Sequence, residues 1–412
     1  MRARAEQRDA ADAAAAAAAR QPLAGRRLWF VGIGGAGLSG YAVLARAWGA
    51  EVGGWDAAKT PYLEGLAGAR VEIAPDPVVP DGWEVVVSSA YAERAEGRTR
   101  ADFLAELVSL QDAVVVAGTH GKGTTAAMIA FCLDRLGLDP AFLIGAPVPQ
   151  LGGNARAGSG WLVVEGDESD RTVAALRPRI AVVTNVDLDH HATFASLAEL
   201  RSLFDEWLAA APLAVRGEDL APAAVELALP GEHNRRNAAT ALAALEVAGV
   251  QASDAIPVLR EFRGTGRRFE ERGQPGGVTV VDDYAHHPTE VSAVIEAARE
   301  LRPRRVLVLY QPHLPSRTRH LARELGAALA AADAVVVMDV YRAREEPLPG
   351  VTGKLVVDAV ADFRPGMKVA WAPTVDDAAR LVAAWALPGD LVLTAGAGDV
   401  DRAVPILEEV LR

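Results

Sequence analysis

The run Val114-Val115-Val116-Ala117 leads straight into Gly118-Thr119-His120-Gly121-Lys122-Gly123-Thr124-Thr125 and then into an alanine-rich stretch, and no other feature limits the fold so sharply. An apolar run meeting a glycine loop and then a helical segment, expected here from Ala126, is the junction of a parallel α/β sheet. Backbone N–H groups of such a loop point into one concavity. Lys122 adds a point charge, and together they suit the β- and γ-phosphates of a nucleotide. The usual phosphate loop has a hydroxyl directly after its lysine, whereas here Gly123 precedes Thr124 and Thr125.

Two further units have the same grammar. Leu28 to Gly32 reads as a strand, Gly34, Gly35 and Gly37 as a turn, and a helix is expected from about Leu38. The next strand, Ala50 to Gly54, ends at Trp55-Asp56. This is a Rossmann-like opening, in which glycines admit a phosphate and a later acidic residue can meet a ribose. From Gly277 onward, strands are expected at Val278 to Val281, Arg305 to Tyr310, Ala334 to Met338 and Leu391 to Thr394, with helices at Thr289 to Leu301 and Arg319 to Ala332. A chain of 412 residues exceeds what one core usually serves. The reading is an α/β protein with an N-terminal extension over 1–26 and domains over 27–111, 112–266 and 267–412. No short-period repeat argues for a solenoid.

Composition narrows the function classes. The net charge of −12 argues against a nucleic-acid backbone as main partner, so any bound anion must meet local positive charge. The single cysteine, Cys132, can close no intramolecular disulfide and reads as a small core residue. No apolar run reaches the roughly 18 residues of a membrane span, and Met1 to Arg20 lacks the apolar core of a secretory signal. A cytoplasmic location is the default expectation.

Several strand ends carry chemistry. Trp161 to Val164 runs into Glu165-Gly166-Asp167-Glu168-Ser169-Asp170, four carboxylates that are costly to hold together without cations. A magnesium site and a solvated acidic turn both fit. Ile180 to Thr184 runs into Asn185-Val186-Asp187-Leu188-Asp189-His190-His191, which makes His190 a candidate second-metal or phosphate ligand. Asn234 and Asn237, three apart ahead of a helix expected over Ala238 to Ala248, can offer amides to a base edge or cap the helix. Gly264-Thr265-Gly266-Arg267-Arg268-Phe269 sets arginine charge beside glycines, as an anion clamp would. Asp282-Asp283-Tyr284-Ala285-His286-His287-Pro288 follows a strand and suits substrate contact.

Taken in order, these phrases resemble the Mur ligase family. The match is carried by Phe30 to Gly40, Gly118 to Thr125, Glu165 to Asp170, Asn185 to His190, Pro230 to Asn237, Gly264 to Phe269, Asp282 to Glu290, Gln311-Pro312-His313 and Gly396-Ala397-Gly398. It spans the chain from about Arg27 to its end. The resemblance implies a Rossmann-like N-terminal domain for UDP, a central P-loop ATPase domain with a parallel sheet, and a Rossmann-like C-terminal domain. It also implies ATP and Mg2+, and an amide-forming ligase of peptidoglycan precursor synthesis that works through an acyl phosphate. The substrates would be UDP-N-acetylmuramate and an amino acid, L-alanine being expected. The enzyme would be a monomer or homodimer without nucleic-acid or membrane partners.

By the same resemblance, Lys122 would hold the transferring phosphate, Glu165 and Thr124 would bind magnesium, and His190 would serve a second magnesium or the acyl phosphate. Gly118, Thr119, His120, Gly121, Gly123 and Thr125 would line the ATP site with Asn234, Asn237, Arg267, Arg268 and Asp282. Gly34, Gly35, Ala36, Gly37, Ser39, Asp56 and Ser88 would meet the UDP-sugar. Tyr284, His286, His287, His313 and Arg317 would lie near the muramyl group and the amino acid, with His286 in the catalytic set. The chain departs from the family pattern at Gly123, Ala192 and Leu314, and is shorter between Tyr91 and Phe103 and between His190 and Pro230. A ligase of a recycled tripeptide is the nearest alternative, against which Gln311-Pro312-His313 counts; the Gly123 pattern keeps open a folylpolyglutamate- or cyanophycin-type ligase, and Gly123, Ala192 and Leu314 together a non-catalytic UDP-sugar-binding protein.

Overall fold

A computed structural model describes residues 21–189, 193–343 and 345–412. His190, Ala192 and the first 20 residues of the expected extension lie outside the described residues.

The first sheet contains β1 (Arg27–Val31), β2 (Glu51–Asp56), β3 (Arg70–Ile73), β4 (Glu84–Val87) and β5 (Arg98–Thr99), in the order β3-β2-β1-β4-β5. Every pairing in it is parallel. Gly53 and Gly54 let β2 close on β1: a Cβ on Gly54 would collide with Phe30 O, and one on Gly53 would sit 2.7 Å from the Trp29 ring. Helix Ala36–Ala47 buries Leu38, Tyr41 and Leu44.

The second sheet is built from β6 (Ala113–Ala117), β7 (Ala141–Val148), β8 (Gly153–Arg156), β9 (Leu162–Glu165), β10 (Ile180–Val183) and β11 (Leu213–Arg216), ordered β11-β10-β6-β9-β7-β8. All its pairings are parallel except β7 with β8. The unbroken apolar runs of β6 and β10 are buried throughout, as strands covered on both faces must be. Helix Lys122–Arg135 packs beside them and buries Cys132, whose thiol burial pushes up to about 12. Such a thiol is inert, as a core residue should be.

The third sheet has β12 (Glu270–Gly273), β13 (Thr279–Asp283), β14 (Val306–Tyr310), β15 (Ala334–Val337), β16 (Lys368–Trp371) and β17 (Leu391–Ala395), ordered β12-β13-β17-β14-β15-β16. Only β12 runs antiparallel to its neighbour. Alternate residues feed opposite cores: Val281, Val308 and Leu393 on one face, Val280, Leu307, Leu309 and Val392 on the other. The α/β class expected from the sequence is the observed one.

Contacts divide the chain into two compact units. The first takes residues up to 186 with 198–220 and 239–259, and holds the first two sheets. The second takes 187–197, 221–238 and 260–412, and holds the third sheet.

Three helices begin earlier than the apolar pattern indicated. Gly121, at φ +76°, turns the chain so that the helix starts at Lys122 and not at Ala126. Pro315 occupies the first turn of helix Pro315–Leu329, a position where its missing N–H costs nothing. Gly231, at φ +101°, precedes helix Glu232–Val247, so Asn234 and Asn237 lie within the helix instead of before it.

Candidate active site

In the first unit, the loop after β6 lies at the carboxyl end of the second sheet, between the ends of β9 and β10. Ligands of open α/β sheets collect at such a place. Gly118 adopts φ +124°, and a Cβ there would run into Thr184 Oγ1. Asn185, just past β10, clamps the loop. Its carbonyl accepts from Thr119 N at 3.0 Å, its Oδ1 accepts from His120 N at 2.9 Å, and its Nδ2 donates to His120 O at 2.9 Å. Lys122 Nζ donates to Gly118 O at 2.8 Å, Thr119 O at 3.1 Å and Glu168 Oε1 at 3.0 Å. Burial alone would depress the Lys122 ammonium, yet the carboxylates of Glu168, Asp167 and Glu165 outweigh it and hold the pKa above its ordinary value. Lys122 therefore stays charged.

The four carboxylates after β9 take different partners. Glu168 holds Lys122, whereas Asp167 and Asp170 both accept from Arg100 Nη2, at 2.8 and 3.1 Å. Glu165 Oε2 accepts from Gly145 N at 2.6 Å and faces Gly123, where a Cβ would stand 3.0 Å away. Glycine at 123 thus leaves room for the Glu165 carboxylate against the first helical turn. Thr124 and Thr125 sit buried in that turn, and the Thr125 hydroxyl has no hydrogen-bond partner among the described residues.

The glycine turn after β1 is shaped from the ends of β2 and β4. Asp56 Oδ2 accepts from Gly34 N at 2.7 Å, and Thr60 Oγ1 donates to Gly34 O at 2.6 Å. A Cβ on Gly32, at φ +91°, would stand 2.9 Å from Ser88 Cβ. Ser88 accepts from Ala90 N, which makes it a turn cap. Ser39 is buried and donates to Ala36 O at 3.2 Å. Gly34 to Gly37 and Asp56 are brought together, while the hydroxyls of Ser39 and Ser88 are engaged locally.

In the second unit, the loops after β13, β14, β15 and β17 meet. The rings of Tyr284, His286, His313 and Tyr341 follow one another at 5.5, 5.6 and 5.8 Å. Burial pushes His286 down to about 4, so its ring is neutral. His287 caps helix Pro288–Glu300 by accepting from Thr289 N, in a reciprocal box with Glu290. Leu314 holds φ +67°, a strained angle for a branched side chain, just ahead of helix Pro315–Leu329. Arg317, one turn on, donates through Nε and Nη2 to Asp189 and lies 3.1 Å from His313 Nδ1 through Nη1.

The two neighbouring arginines separate in role. Arg267 Nε donates to Asp282 at 2.9 Å, and its Nη atoms donate to the carbonyls of Gly396 and Gly398 at 2.8 and 3.1 Å. It ties strand ends together. Asp282 also accepts from Thr394 Oγ1 at 2.6 Å, and its burial raises its pKa. Arg268 lies with its guanidinium 5.3 Å from the Tyr284 ring centroid and 3.6 Å from Glu290. Asn234 Nδ2 donates to Pro230 O at 2.7 Å, and Asn237 Nδ2 reaches Asn234 Oδ1 at 3.5 Å. The two amides share a face, as their spacing implied.

Comparison with known proteins decides the family. Residues 116–206 match the model of the Mur ligase middle domain, and residues 267–398 match that of the Mur ligase, glutamate ligase domain. The UDP-N-acetylmuramate--L-alanine ligase of Streptomyces coelicolor is 39% identical over 457 residues, covering 94% of this chain and 98% of the relative. The chain belongs to the Mur ligase family. The ligase of the same name from Kineococcus radiotolerans is 41% identical over 448 residues, covering 92% of this chain and 95% of the relative. Among solved structures, the UDP-N-acetylmuramate-alanine ligase of Thermotoga maritima superposes with a TM-score of 0.76 at 25% identity, covering 93% of this chain and 98% of that one. A murein peptide ligase from Psychrobacter arcticus reaches 0.63 at 23% identity, covering 94% of this chain and 99% of that one, which shows the shared fold.

Viewed as a Mur ligase, the molecule contains three site-building residues that the sequence reading missed. Asn185 lay inside a quoted phrase, but its role depends on β10 lying beside β6. Glu168 is one of four clustered carboxylates in the sequence, among which the resemblance singles out Glu165 alone, and the structure makes it the partner of Lys122. Arg100 carried no motif at all, since it lies 67 residues from its partner Asp167.

Proposed function

We propose that this ligase joins L-alanine to the carboxylate of UDP-N-acetylmuramate with hydrolysis of ATP to ADP and phosphate. The observation that carries this reading is identity of 39% to 41% with enzymes of that name, over more than nine-tenths of this chain and of each relative. The phosphate loop after β6, with its charged lysine, supports it. UDP-linked sugars are made and used inside the cell, so the enzyme would act in the cytoplasm.

The chemistry needs charge neutralisation and positioning more than covalent participation by the protein. The muramyl carboxylate attacks the γ-phosphorus, ADP departs, and an acyl phosphate remains. The amine of alanine then attacks the acyl carbon, inorganic phosphate leaves, and the amine nitrogen gives up its proton. Lys122 would neutralise the transferring phosphoryl group, and the backbone N–H groups of Gly118 to Thr125 would orient it. The oxygen donors of Glu165 and Thr124, with the unsatisfied Thr125 hydroxyl beside them, are of the type magnesium takes. Magnesium bound there would supply further charge neutralisation. Of the two arginines that the resemblance assigns to ATP, Arg268 is the better candidate, because the donors of Arg267 are taken by Asp282, Gly396 and Gly398. Neutral His286 would lie near the incoming amine. His190 would serve a second magnesium or the acyl phosphate.

The test is phosphate release from ATP with UDP-N-acetylmuramate and a panel of amino acids, with the tripeptide of recycled peptidoglycan included. Release that depends on L-alanine supports the reading. Release with the tripeptide alone would move the assignment to a peptide ligase, and no release would leave a binding protein.

A further inference from the structure

Arg100 begins helix Arg100–Ser109 and faces two structures of the first unit at once. On one side its Nη2 donates to Asp167 and Asp170, the residues flanking Glu168. Ser169 N also donates to Asp167, at 2.9 Å. The acidic turn is thus held by two ion pairs to one guanidinium, with Glu168 in place to hold Lys122. On the other side, a Cβ on Gly37 would lie 3.5 Å from Arg100 Nη1. Gly37 belongs to the glycine turn that the ligase reading assigns to the UDP-sugar. Arg100 Nη1 donates to no acceptor among the described residues, and its Nε is buried without a hydrogen-bond partner. A guanidinium presents a fork of donors that suits phosphate and carboxylate oxygens alike. Here one nitrogen of that fork is committed and two are not.

We propose that Arg100 is a positioning residue that couples the sugar-nucleotide site to the phosphate loop: its Nη1 side meets an anionic group of the ligand on the glycine turn while its Nη2 side fixes the acidic turn that holds Lys122. This rests on the ligase reading, because it takes the ligand of that turn to be UDP-N-acetylmuramate. Filling the first site would then bias the second through one side chain. Linkage makes the effect mutual.

The experiment measures binding of UDP, of UDP-N-acetylmuramate, and of ADP with and without UDP-N-acetylmuramate, in wild type, Arg100→Met and Arg100→Lys. Arg100→Met should lose about tenfold or more in sugar-nucleotide affinity, and its ADP affinity should stop responding to UDP-N-acetylmuramate. Arg100→Lys should recover part of the affinity. Equal losses for UDP and UDP-N-acetylmuramate would support contact with the diphosphate, and a loss confined to UDP-N-acetylmuramate would support contact with the carboxylate. If Arg100→Met fails to fold, the variant Arg100→Met/Asp167→Asn/Asp170→Asn removes both sides of the ion pair and serves in its place. Unchanged sugar-nucleotide affinity in a folded variant would overturn the inference, and so would lost affinity with ADP binding still responsive. Wild-type protein that binds neither UDP nor UDP-N-acetylmuramate would overturn the ligase reading and this inference together.

Discussion

Arg317 grips Asp189 with Nε at 3.1 Å and Nη2 at 2.9 Å to both carboxylate oxygens, and both side chains are nearly shut off from solvent. The pair joins residues 128 apart in sequence and anchors the turn that leaves β10 within the second unit. Thr289 adds to the anchor by donating to Asp187 at 2.7 Å. A guanidinium held this way serves first as a fixture of that turn.

Removing one member of a buried ion pair leaves the other uncompensated, at a cost of about 3 to 5 kcal/mol. Asp189→Asn and Arg317→Met should each lower the denaturant midpoint of the second unit's transition. The double variant Asp189→Asn/Arg317→Met should lose less than the sum of the single losses. Additive losses would mean that the two side chains do not depend on each other.

Lys122→Ala removes the ammonium that the phosphate loop and Glu168 hold. Turnover should fall by about two to three orders of magnitude, with UDP-N-acetylmuramate affinity kept within about twofold. Steady-state kinetics and calorimetry separate the two quantities. Equal loss of both would contradict the division between phosphate loop and glycine turn.

Gly145 and Gly123 bracket the Glu165 carboxylate, and a Cβ on Gly145 would stand 2.8 Å from Oε2. Gly145→Ala should push that carboxylate aside, lowering kcat by about a hundredfold and raising the magnesium concentration needed for half-maximal rate. Gly123→Ala, with its Cβ at 3.0 Å, should do the same more mildly. An unaltered magnesium dependence in Gly145→Ala would remove Glu165 from the metal site.

Burial lowers His286 from 6.5 to about 4, and His233 likewise. Below pH 6.5 the unfolded chain takes up protons that the folded chain refuses, so protonation favours unfolding. Stability should therefore fall as pH drops from about 6.5 toward 4, with no contribution from these rings above that range. His286→Gln and His233→Gln should each flatten the slope in denaturant midpoints measured at pH 7.5 and pH 5. A wild-type slope retained in both variants would contradict the assigned burial effects.

Much of the fold was legible because its signals are local. Strand-to-glycine-to-helix junctions announce themselves within about ten residues, and β1, β6, β10, β13, β14 and β17 lie where the apolar runs placed them. Helix starts are less legible, since Lys122, Glu232 and Pro315 open helices with polar or proline turns that carry no apolar period. The phosphate loop was visible as a phrase, but its clamp by Asn185 follows from strand order and not from any motif. Arg267 and Arg268 look identical in sequence, and only the return of β17 beside β13 assigns Arg267 to the carbonyls of Gly396 and Gly398. Partners set by topology left no mark in the sequence around them.

Carboxylate activation by ATP followed by transfer to L-alanine leaves a carboxylate oxygen on the released phosphate, and isotope transfer detects it. UDP-N-acetylmuramate labelled with 18O in its carboxylate is incubated with ATP, magnesium and L-alanine, and the phosphate released is analysed by mass spectrometry. One 18O per phosphate, with UDP-N-acetylmuramyl-L-alanine formed in equal amount, is the expected result. Unlabelled phosphate, or phosphate released without that product, would contradict the account.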